Sequence, residues 1–356
     1  MAFGVLTDKL KVSTKFLIMN TSVLLKSLVA GGAVIMAAAM TSCLKYEKDP
    51  HSSTSGTTTM VCDNTFENIF RQEVDVFEYQ YPDAHILVRY ATQAEAFDSL
   101  FSLNTRSIVT SRDLTDQERR ALKAKYKNER NANVNVRSKK IAVDAVAFIV
   151  NPKNNVEKLT VGELADILSG ETSQWNDLQP SERGKIKVVL DKSGSSMATY
   201  LSDSLLQGRP LGPTVFAAGS IPEVFEVVEK DPDAIGVLGV SWITSDMDSA
   251  DVSKEELAES VLNDDPVQGA TLTQRVKVLK VYRPGQAQAY KPYQKYIFDG
   301  SYPLFRQIYM ITTASPSNVG GGFYSFVTGP IGQKIIMKTG ILPATVHKVI
   351  VEVPES

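Results

Sequence analysis

The sequence predicts an α/β fold built from two lobes. Short apolar runs alternate with amphipathic stretches along most of the chain, and the order strand, helix, strand recurs in two separate units. Short polar residues stand where the predicted strands pass into helices. The 356 residues are enough for about two domains of about 150 residues each. This pattern is typical of parallel sheets that helices cover on both faces.

The first unit alternates strands with helices. Its first helix is predicted over residues 64–78, because Phe66, Phe70 and Phe77 recur there at helical spacing. The predicted order is strand 59–62, helix 64–78, strand 85–90, helix 94–103, strand 107–110 and helix 115–127.

The second unit follows a charged segment and begins with the apolar run 141–150. It continues with helix 161–168, strand 186–190, helix 197–206, strand 214–217, helix 222–230 and strand 234–239. The pattern then changes to apolar segments at 276–282, 304–313 and 346–353, with one long helix predicted over 323–339.

The first 43 residues predict export from the cytoplasm. Lysines precede the apolar run 28–40, which is shorter than the about 20 residues of a membrane-spanning helix. Met40-Thr41-Ser42-Cys43 resembles a bacterial lipobox, so Cys43 is the predicted lipidation site and residues 44–56 form a flexible tether. The expected location is the periplasm or cell envelope, with the chain anchored to a membrane by lipid. A plain signal peptide cut elsewhere is the alternative, and Met1 and Met19 both remain as starts.

Composition and motifs argue against two classes of function. The chain has 38 basic and 40 acidic residues, whereas nucleic-acid binders usually carry a basic excess. The sequence has no Gly-x-Ser-x-Gly nucleophile motif and no phosphate-binding P-loop, and its three histidines lack the spacing of a metal site. We therefore predict no catalytic residue, no metal and no cofactor.

Four strand-to-helix junctions are the candidate binding elements. In open α/β sheets ligands bind outside the carboxyl ends of the strands, and the start of a helix suits an anion. The four junctions are Asp63-Asn64-Thr65, Ala91-Thr92-Gln93, Ser111-Arg112-Asp113 and Lys192-Ser193-Gly194-Ser195-Ser196.

The fourth junction has the most specific pattern, because its glycine permits close backbone approach and hydroxyl donors stand on either side. Arg112 is a further candidate, since a guanidinium binds an oxyanion through two hydrogen bonds. The alternative for each junction is an ordinary helix cap: Thr92-x-x-Glu95 and Thr115-x-x-Glu118 are capping boxes. The alternative for Arg112 is an exposed side chain near Asp113.

Five stretches resemble one protein family. Ser193-Gly194-Ser195-Ser196 is similar to its Ser-Gly-Thr-Ser phosphate loop, and the segments Ala234–Val237, Ser301–Tyr309, Phe323–Ile336 and Gly340–Pro343 are similar to further parts of it. The family is the substrate-binding protein of the bacterial ABC phosphate importer, which has a type II periplasmic-binding-protein fold. The resemblance implies two α/β lobes with a ligand cleft between them.

The resemblance also implies the site. Thr65 and Phe66 match a ligand-binding Thr-Phe, and the fourth junction matches the phosphate loop. Two features depart from the family: its carboxylate after the third-strand serine is replaced by Ser111-Arg112, and its arginine before the phosphate loop is absent. Either Arg112 supplies the lost charge or the ligand has changed, and Asp113 or Asp63 is the candidate replacement carboxylate. The ligand-binding residues predicted in this way are Asn64, Thr65, Phe66, Thr92, Gln93, Ser111, Arg112, Ser193, Gly194 and Ser195.

The resemblance completes the functional prediction. Residues 57–142 and 241–356 form one lobe, residues 143–240 form the other, and the two close over phosphate or a related tetrahedral oxyanion without covalent chemistry. The expected partner is an ABC permease of the inner membrane, and the chain is expected to be a monomer. The alternative is a lipid-anchored scaffold, adhesion or sensing module that has lost or changed its ligand, with a hydrolase as the least favoured interpretation.

Overall fold

The computed structural model describes residues 51–244, 253–263 and 271–345. These residues belong to one compact unit that spans 50–356. The predicted signal peptide 1–43 with Cys43, the first part of the predicted tether and the segment 346–353 lie outside the described residues.

The described strands and helices follow the predicted alternation. The strands are β1 (Gly56–Asp63), β2 (Ala84–Ala91), β3 (Ser107–Thr110), β4 (Arg137–Val150), β5 (Lys158–Thr160), β6 (Lys187–Leu190), β7 (Val215–Ala217), β8 (Ala234–Gly239), β9 (Lys277–Val278), β10 (Lys280–Tyr282), β11 (Phe305–Thr312) and β12 (Leu342–Pro343). The helices are α1 (Glu67–Gln80), α2 (Gln93–Phe101), α3 (Asp116–Arg130), α4 (Val161–Ser169), α5 (Ser196–Tyr200), α6 (Ile221–Lys230), α7 (Lys254–Leu262), α8 (Gln294–Phe298), α9 (Val319–Val327) and α10 (Pro330–Lys338).

One sheet joins the two units of the sequence. Its strand order is β2-β1-β3-β11-β4-β8-β6-β7, with β9 and β12 also paired to β4. The predicted parallel pairing holds in each unit, because β1 runs parallel to β2 and β3, and β6 runs parallel to β7 and β8. The prediction of an α/β fold is therefore confirmed.

The long strand β4 connects the halves of this sheet. Residues 137–145 pair antiparallel with β11, and residues 146–150 pair antiparallel with β8. The last ten residues of β4 are almost all buried, which agrees with the uninterrupted apolar run in the sequence and with helices covering both faces.

The structure corrects two predicted helices. The helix predicted over 323–339 is two helices, α9 and α10, separated at Gly329-Pro330, because proline lacks an N–H and is preferred as the first residue of a new helix. The helix predicted over 197–206 is the short α5 followed by a π-helical turn, Leu201–Leu205.

The folded region begins before the predicted end of the tether. Ser52 and Ser55 are joined by a hydroxyl hydrogen bond of 2.8 Å, Ser55 is buried and β1 starts at Gly56. Cys62 is a buried cysteine of β1 that forms no disulfide within the described residues, and its thiol donates to the carbonyl oxygen of Asp63 at 3.4 Å. No helix of the described part of the chain is long and apolar enough to cross a membrane.

Candidate functional site

The first and fourth junctions meet in space. β1 ends at Asp63 and β6 at Leu190, and both strands lead into short helical segments. The hydroxyl of Thr65 lies 3.1 Å from the hydroxyl of Ser196, although 131 positions separate the two residues. Both side chains are buried. The two halves of the sheet therefore place a pair of hydroxyl groups in contact.

A buried arginine completes this cluster. Arg306 Nη1 donates a hydrogen bond to Ser196 Oγ at 3.0 Å, and its guanidinium stands 4.6 Å from the centre of the Phe66 ring. The side chain of Arg306 is 2% exposed. A guanidinium is the cation best suited to a planar, bidentate contact with an oxyanion. We call Thr65, Phe66, Ser195, Ser196 and Arg306 the anion cluster.

Asp144 holds Arg306 in place. The two residues stand directly opposite each other in the ladder between β4 and β11, and Nε and Nη2 of Arg306 donate to Asp144 Oδ2 at 3.3 and 3.1 Å. The other oxygen, Oδ1, accepts the N–H of Val240 at 3.0 Å. Burial raises the pKa of the Asp144 carboxyl, and the charge of Arg306 opposes that rise.

Asp63 is a second buried carboxyl beside the anion cluster. Its Oδ1 accepts the backbone N–H and the hydroxyl of Thr65 at 3.1 and 3.0 Å. Its Oδ2 has no hydrogen-bond partner among the described residues. Burial raises the pKa of Asp63, and the charge of Arg306 with the hydroxyls of Ser196 and Thr65 opposes the rise. A proton donor brought to Oδ2 would satisfy a buried acceptor.

Ser195 orients the fourth junction. It caps α5 by accepting the N–H of Ala198 at 3.1 Å, and its hydroxyl donates to Asp191 Oδ1 at 2.7 Å. Ser193 and Gly194 are exposed on the same loop, and Gly194 has φ +71°, in the left-handed region that favours glycine. The loop therefore turns its first two predicted residues outward and its last two serines inward.

The second and third junctions form a separate group. Gln93 Oε1 accepts the N–H and the hydroxyl of Ser111 at 2.8 and 2.7 Å. Thr92 forms the predicted capping box with Glu95. Hydrogen bonds from Thr92 lower the pKa of Glu95, and the charge of Lys192 contributes to the same shift.

Arg112 lies at the surface and forms an ion pair there. Its two terminal nitrogens each donate to the Glu118 carboxylate at 2.9 Å, and they lower the pKa of Glu118 to about 2. The guanidinium also stands 3.8 Å from the centre of the Phe97 ring, with 45% of the side chain exposed. The cation at the anion cluster is Arg306, whereas Arg112, in the loop before α3, pairs with Glu118 of that helix.

Asp113 forms its hydrogen bonds with groups outside the anion cluster. Its carboxylate accepts Ser138 Oγ at 2.5 Å, the N–H of Leu114 at 2.6 Å and Arg119 Nη2 at 3.3 Å. Of the two carboxylates that the sequence nominates, Asp63 is the one that contacts Thr65.

The binding set predicted from the sequence does not contain three residues of this arrangement, Ser196, Arg306 and Asp144. Ser196 belongs to the fourth junction but not to that set. Arg306 and Asp144 each stand within an apolar strand, where a charged residue is rarely buried without a partner. That signal identifies both residues as unusual, but it does not say that they pair.

The sheet order and the meeting of the junctions define the class of the protein. The chain has an α/β fold of the type II periplasmic-binding-protein class. The family model described as the PBP superfamily domain matches residues 47–330, and the chain belongs to this family.

Curated relatives agree with this assignment. The chain is 23% identical over 328 residues to the phosphate-binding protein PstS of Pseudomonas aeruginosa, an alignment that covers 88% of this chain and 90% of the relative. It is 24% identical over 233 residues to PstS of Staphylococcus saprophyticus, covering 65% of this chain and 62% of the relative.

Solved structures share the fold. A phosphate ABC transporter substrate-binding protein with bound phosphate from Clostridium perfringens aligns with a TM-score of 0.61 at 18% identity, covering 82% of this chain and 100% of the other. An ABC-type phosphate transport receptor from Vibrio cholerae aligns with a TM-score of 0.56 at 18% identity, covering 80% and 99%.

Proposed function

We propose that this protein is a solute-binding receptor that captures phosphate, or a related tetrahedral oxyanion, for an ABC importer. The observation that carries the proposal is the buried guanidinium of Arg306, held beside the hydroxyls of Thr65 and Ser196. A fixed cation with adjacent hydroxyl donors suits an oxyanion, because charge-assisted hydrogen bonds are about twice as strong as neutral ones. The names of the relatives support the same ligand.

The proposed mechanism is closure of two lobes over the anion. The lobes are residues 57–142 with 241–356, and residues 143–240. β4 changes its partner from β11 to β8 after residue 145, close to the proposed boundary, so bending there would move the two halves of the sheet. Thr65 and Phe66 belong to the first lobe and Ser195 and Ser196 to the second, so closure brings donors from both sides to one anion.

Asp63 is the proposed determinant of selectivity. Its Oδ2 is buried without a hydrogen-bond partner among the described residues. Hydrogen phosphate carries a proton and can donate a hydrogen bond to an ionised carboxylate. Sulfate carries no proton at neutral pH, so the lone pairs of its oxygen would face those of the carboxylate oxygen. A site built around one buried hydrogen bond rejects a ligand that cannot form it.

We also propose export and lipid attachment at Cys43, and the basis for both is the sequence pattern alone. Mass spectrometry of the purified chain, expressed with its first 43 residues in a bacterial host, tests this step. A diacylated amino-terminal Cys43 supports the anchor, and a chain that begins elsewhere without lipid contradicts it.

Calorimetric titration of the purified chain with phosphate and sulfate tests the receptor function. Bound anion is first removed by mild unfolding and refolding. We expect Arg306→Lys to weaken phosphate binding by about 10- to 100-fold, because one geometry-specific charged hydrogen bond contributes about 1.5–3 kcal/mol.

Arg112→Lys is the matched control, and its binding is expected to equal that of the original chain. If only the Arg112 variant loses affinity, the anion binds at the third junction instead. If the original chain binds no anion, the scaffold or sensing alternative replaces the receptor function.

A further inference from the structure

The segment 276–298 carries an excess of positive charge. It contains five lysine or arginine residues and neither aspartate nor glutamate, whereas the whole chain has a net charge of −2. It also contains four tyrosines and ends at Phe298, which is 70% exposed. The proposed receptor function uses none of these residues.

Three lysines form a row across neighbouring chain segments. Lys280 of β10 stands directly opposite Lys158 of β5 in a parallel ladder. On the other side of β10, Tyr290 pairs antiparallel with Val281. The next position of this pairing places Lys291 beside Lys280, and burial lowers the pKa of Lys291 while the charge of Lys280 lowers it further. Neighbouring strands are about 4.8 Å apart, so the row spans about 10 Å.

The row lies on the exposed face of this small sheet. Val281 and Leu159, one position further along the ladder, are 0% and 2% exposed and belong to the hydrophobic core. Side chains alternate between the two faces of a strand, so the exposed Lys280 and Lys158 project from the opposite face. Like charges on facing residues of a ladder repel each other. An anionic partner would offset this repulsion.

The lysines of the row have no carboxylate partner of their own. The charge of Glu157 opposes the lowered pKa of Lys291, but its carboxylate pairs with Lys277 at 2.8 Å. Within the described residues, no ion pair involves Lys158, Lys280 or Lys291. The row is therefore open to an anion from outside the chain.

Aromatic side chains accompany the row. The Nζ atom of Lys158 lies 5.8 Å from the centre of the Tyr282 ring. The ring of Tyr290 lies 4.5 Å from that of Tyr296 in α8, and Phe298 ends the same helix. Cationic side chains attract anionic lipids, and aromatic rings are enriched at the boundary between a membrane and water.

We call Lys158, Lys280, Lys291, Tyr282 and Phe298 the basic surface. We infer that the basic surface docks onto a membrane that contains anionic lipids. A row of this length suits negative charge that is spread over a plane, and a bilayer also offers an apolar layer for the exposed phenylalanine. Each lysine close to such a membrane strengthens binding by about fivefold. The inference does not depend on the proposed receptor function.

Sedimentation of the full chain with lipid vesicles tests the inference. The vesicles contain either phosphatidylcholine alone or equal amounts of phosphatidylcholine and phosphatidylglycerol. We expect stronger binding to the anionic vesicles, and this excess should disappear at about 1 M sodium chloride, where the Debye length is about 3 Å. Lys158→Gln with Lys280→Gln should weaken binding to the anionic vesicles by about fivefold for each lysine removed.

The matched control for charge is Lys123→Gln with Lys127→Gln, which removes two exposed lysines of α3. This control should bind the anionic vesicles as the original chain does. Phe298→Ser should also weaken binding. Leu87→Ser, at a position of β2 that is 57% exposed, is its control and should leave binding unchanged.

Lysine acetylation followed by mass spectrometry locates the contact independently of the first 43 residues. Anionic vesicles should suppress the acetylation of Lys158 and Lys280 and leave that of Lys123 and Lys127 unchanged. Equal acetylation of the two pairs would overturn the inference even if the chain sediments with the vesicles, because the contact would then lie elsewhere. A chain that does not distinguish anionic from neutral vesicles would overturn it as well. In that case the basic surface fits an acidic protein rather than a membrane, and the phosphate titration decides the receptor function separately.

Discussion

Replacing Arg306 by methionine should destabilise the protein strongly. The side chains of Arg306 and Asp144 are 2% and 0% exposed, so the substitution leaves a buried carboxylate whose main remaining partner is the N–H of Val240. Removing one member of a buried ion pair costs about 3–5 kcal/mol. Arg112→Met removes an ion pair whose arginine is 45% exposed, and exposed pairs contribute about 0–1 kcal/mol.

The loss of stability in Arg306→Met should increase as the pH rises. Burial already raises the pKa of Asp144 in the folded protein, and losing Arg306 raises it further. The folded state then binds a proton that the unfolded state releases above about pH 4. Stability is therefore greatest at low pH and falls as the pH rises towards the folded-state pKa. The deficit of Arg306→Met should grow between about pH 4.5 and pH 7.5.

Urea denaturation followed by circular dichroism at both pH values measures these differences. The double variant Arg306→Met with Asp144→Asn should be more stable than the single variant at pH 7.5, because no unpaired charge remains. Equal losses for Arg306→Met and Arg112→Met, or a deficit that neither varies with pH nor shrinks in the double variant, would refute the reasoning.

Three further predictions follow from buried groups. Glu73 is fully buried, both its carboxylate oxygens lack a partner among the described residues, and burial raises its pKa. Glu73→Gln should therefore gain stability over the original chain as the pH rises above about 4.3, whereas the control Glu129→Gln, at an exposed position, should not. A stability difference in urea denaturation that does not vary with pH would contradict this prediction. A β-carbon on Gly236 would meet neighbouring side chains at 2.8–2.9 Å, so Gly236→Ala should lower the unfolding free energy by about 1–3 kcal/mol, and an unchanged urea midpoint would disprove it. Asp63→Asn should lower the preference for phosphate over sulfate in calorimetric competition by about tenfold or more while Asp113→Asn keeps it, and the reverse pattern would assign the selectivity to Asp113.

Local patterns predicted most of the fold. The strands 107–110 and 234–239 have the predicted bounds, because each is a short apolar run between polar residues. The capping boxes at Thr92 and Thr115 start helices as predicted, since a cap depends on residues only three positions apart. The division at Gly329-Pro330 was also visible in the sequence, and the apolar periodicity across it led to the prediction of one helix.

Local patterns predicted only part of the candidate site. The sequence nominated Thr65, Ser193 and Ser195, because polar residues at strand ends are a local signal. It nominated Arg112 as the cation, since that arginine stands in a junction. Arg306 lies within an apolar strand far from any junction, where its charge is unusual but does not indicate which residues it contacts.

The sequence by itself determined most of the strands and helices of the two α/β units, the helix starts at the capping boxes, and which family the chain resembles. Only the tertiary structure decided which charge reaches the anion cluster. Arg306 lies 162 positions from Asp144 and 110 from Ser196, and they meet because β11 pairs with β4 in one register. A shift of one residue would turn each side chain to the other face of the sheet. Register depends on the packing of the whole sheet, so no local pattern specifies this contact.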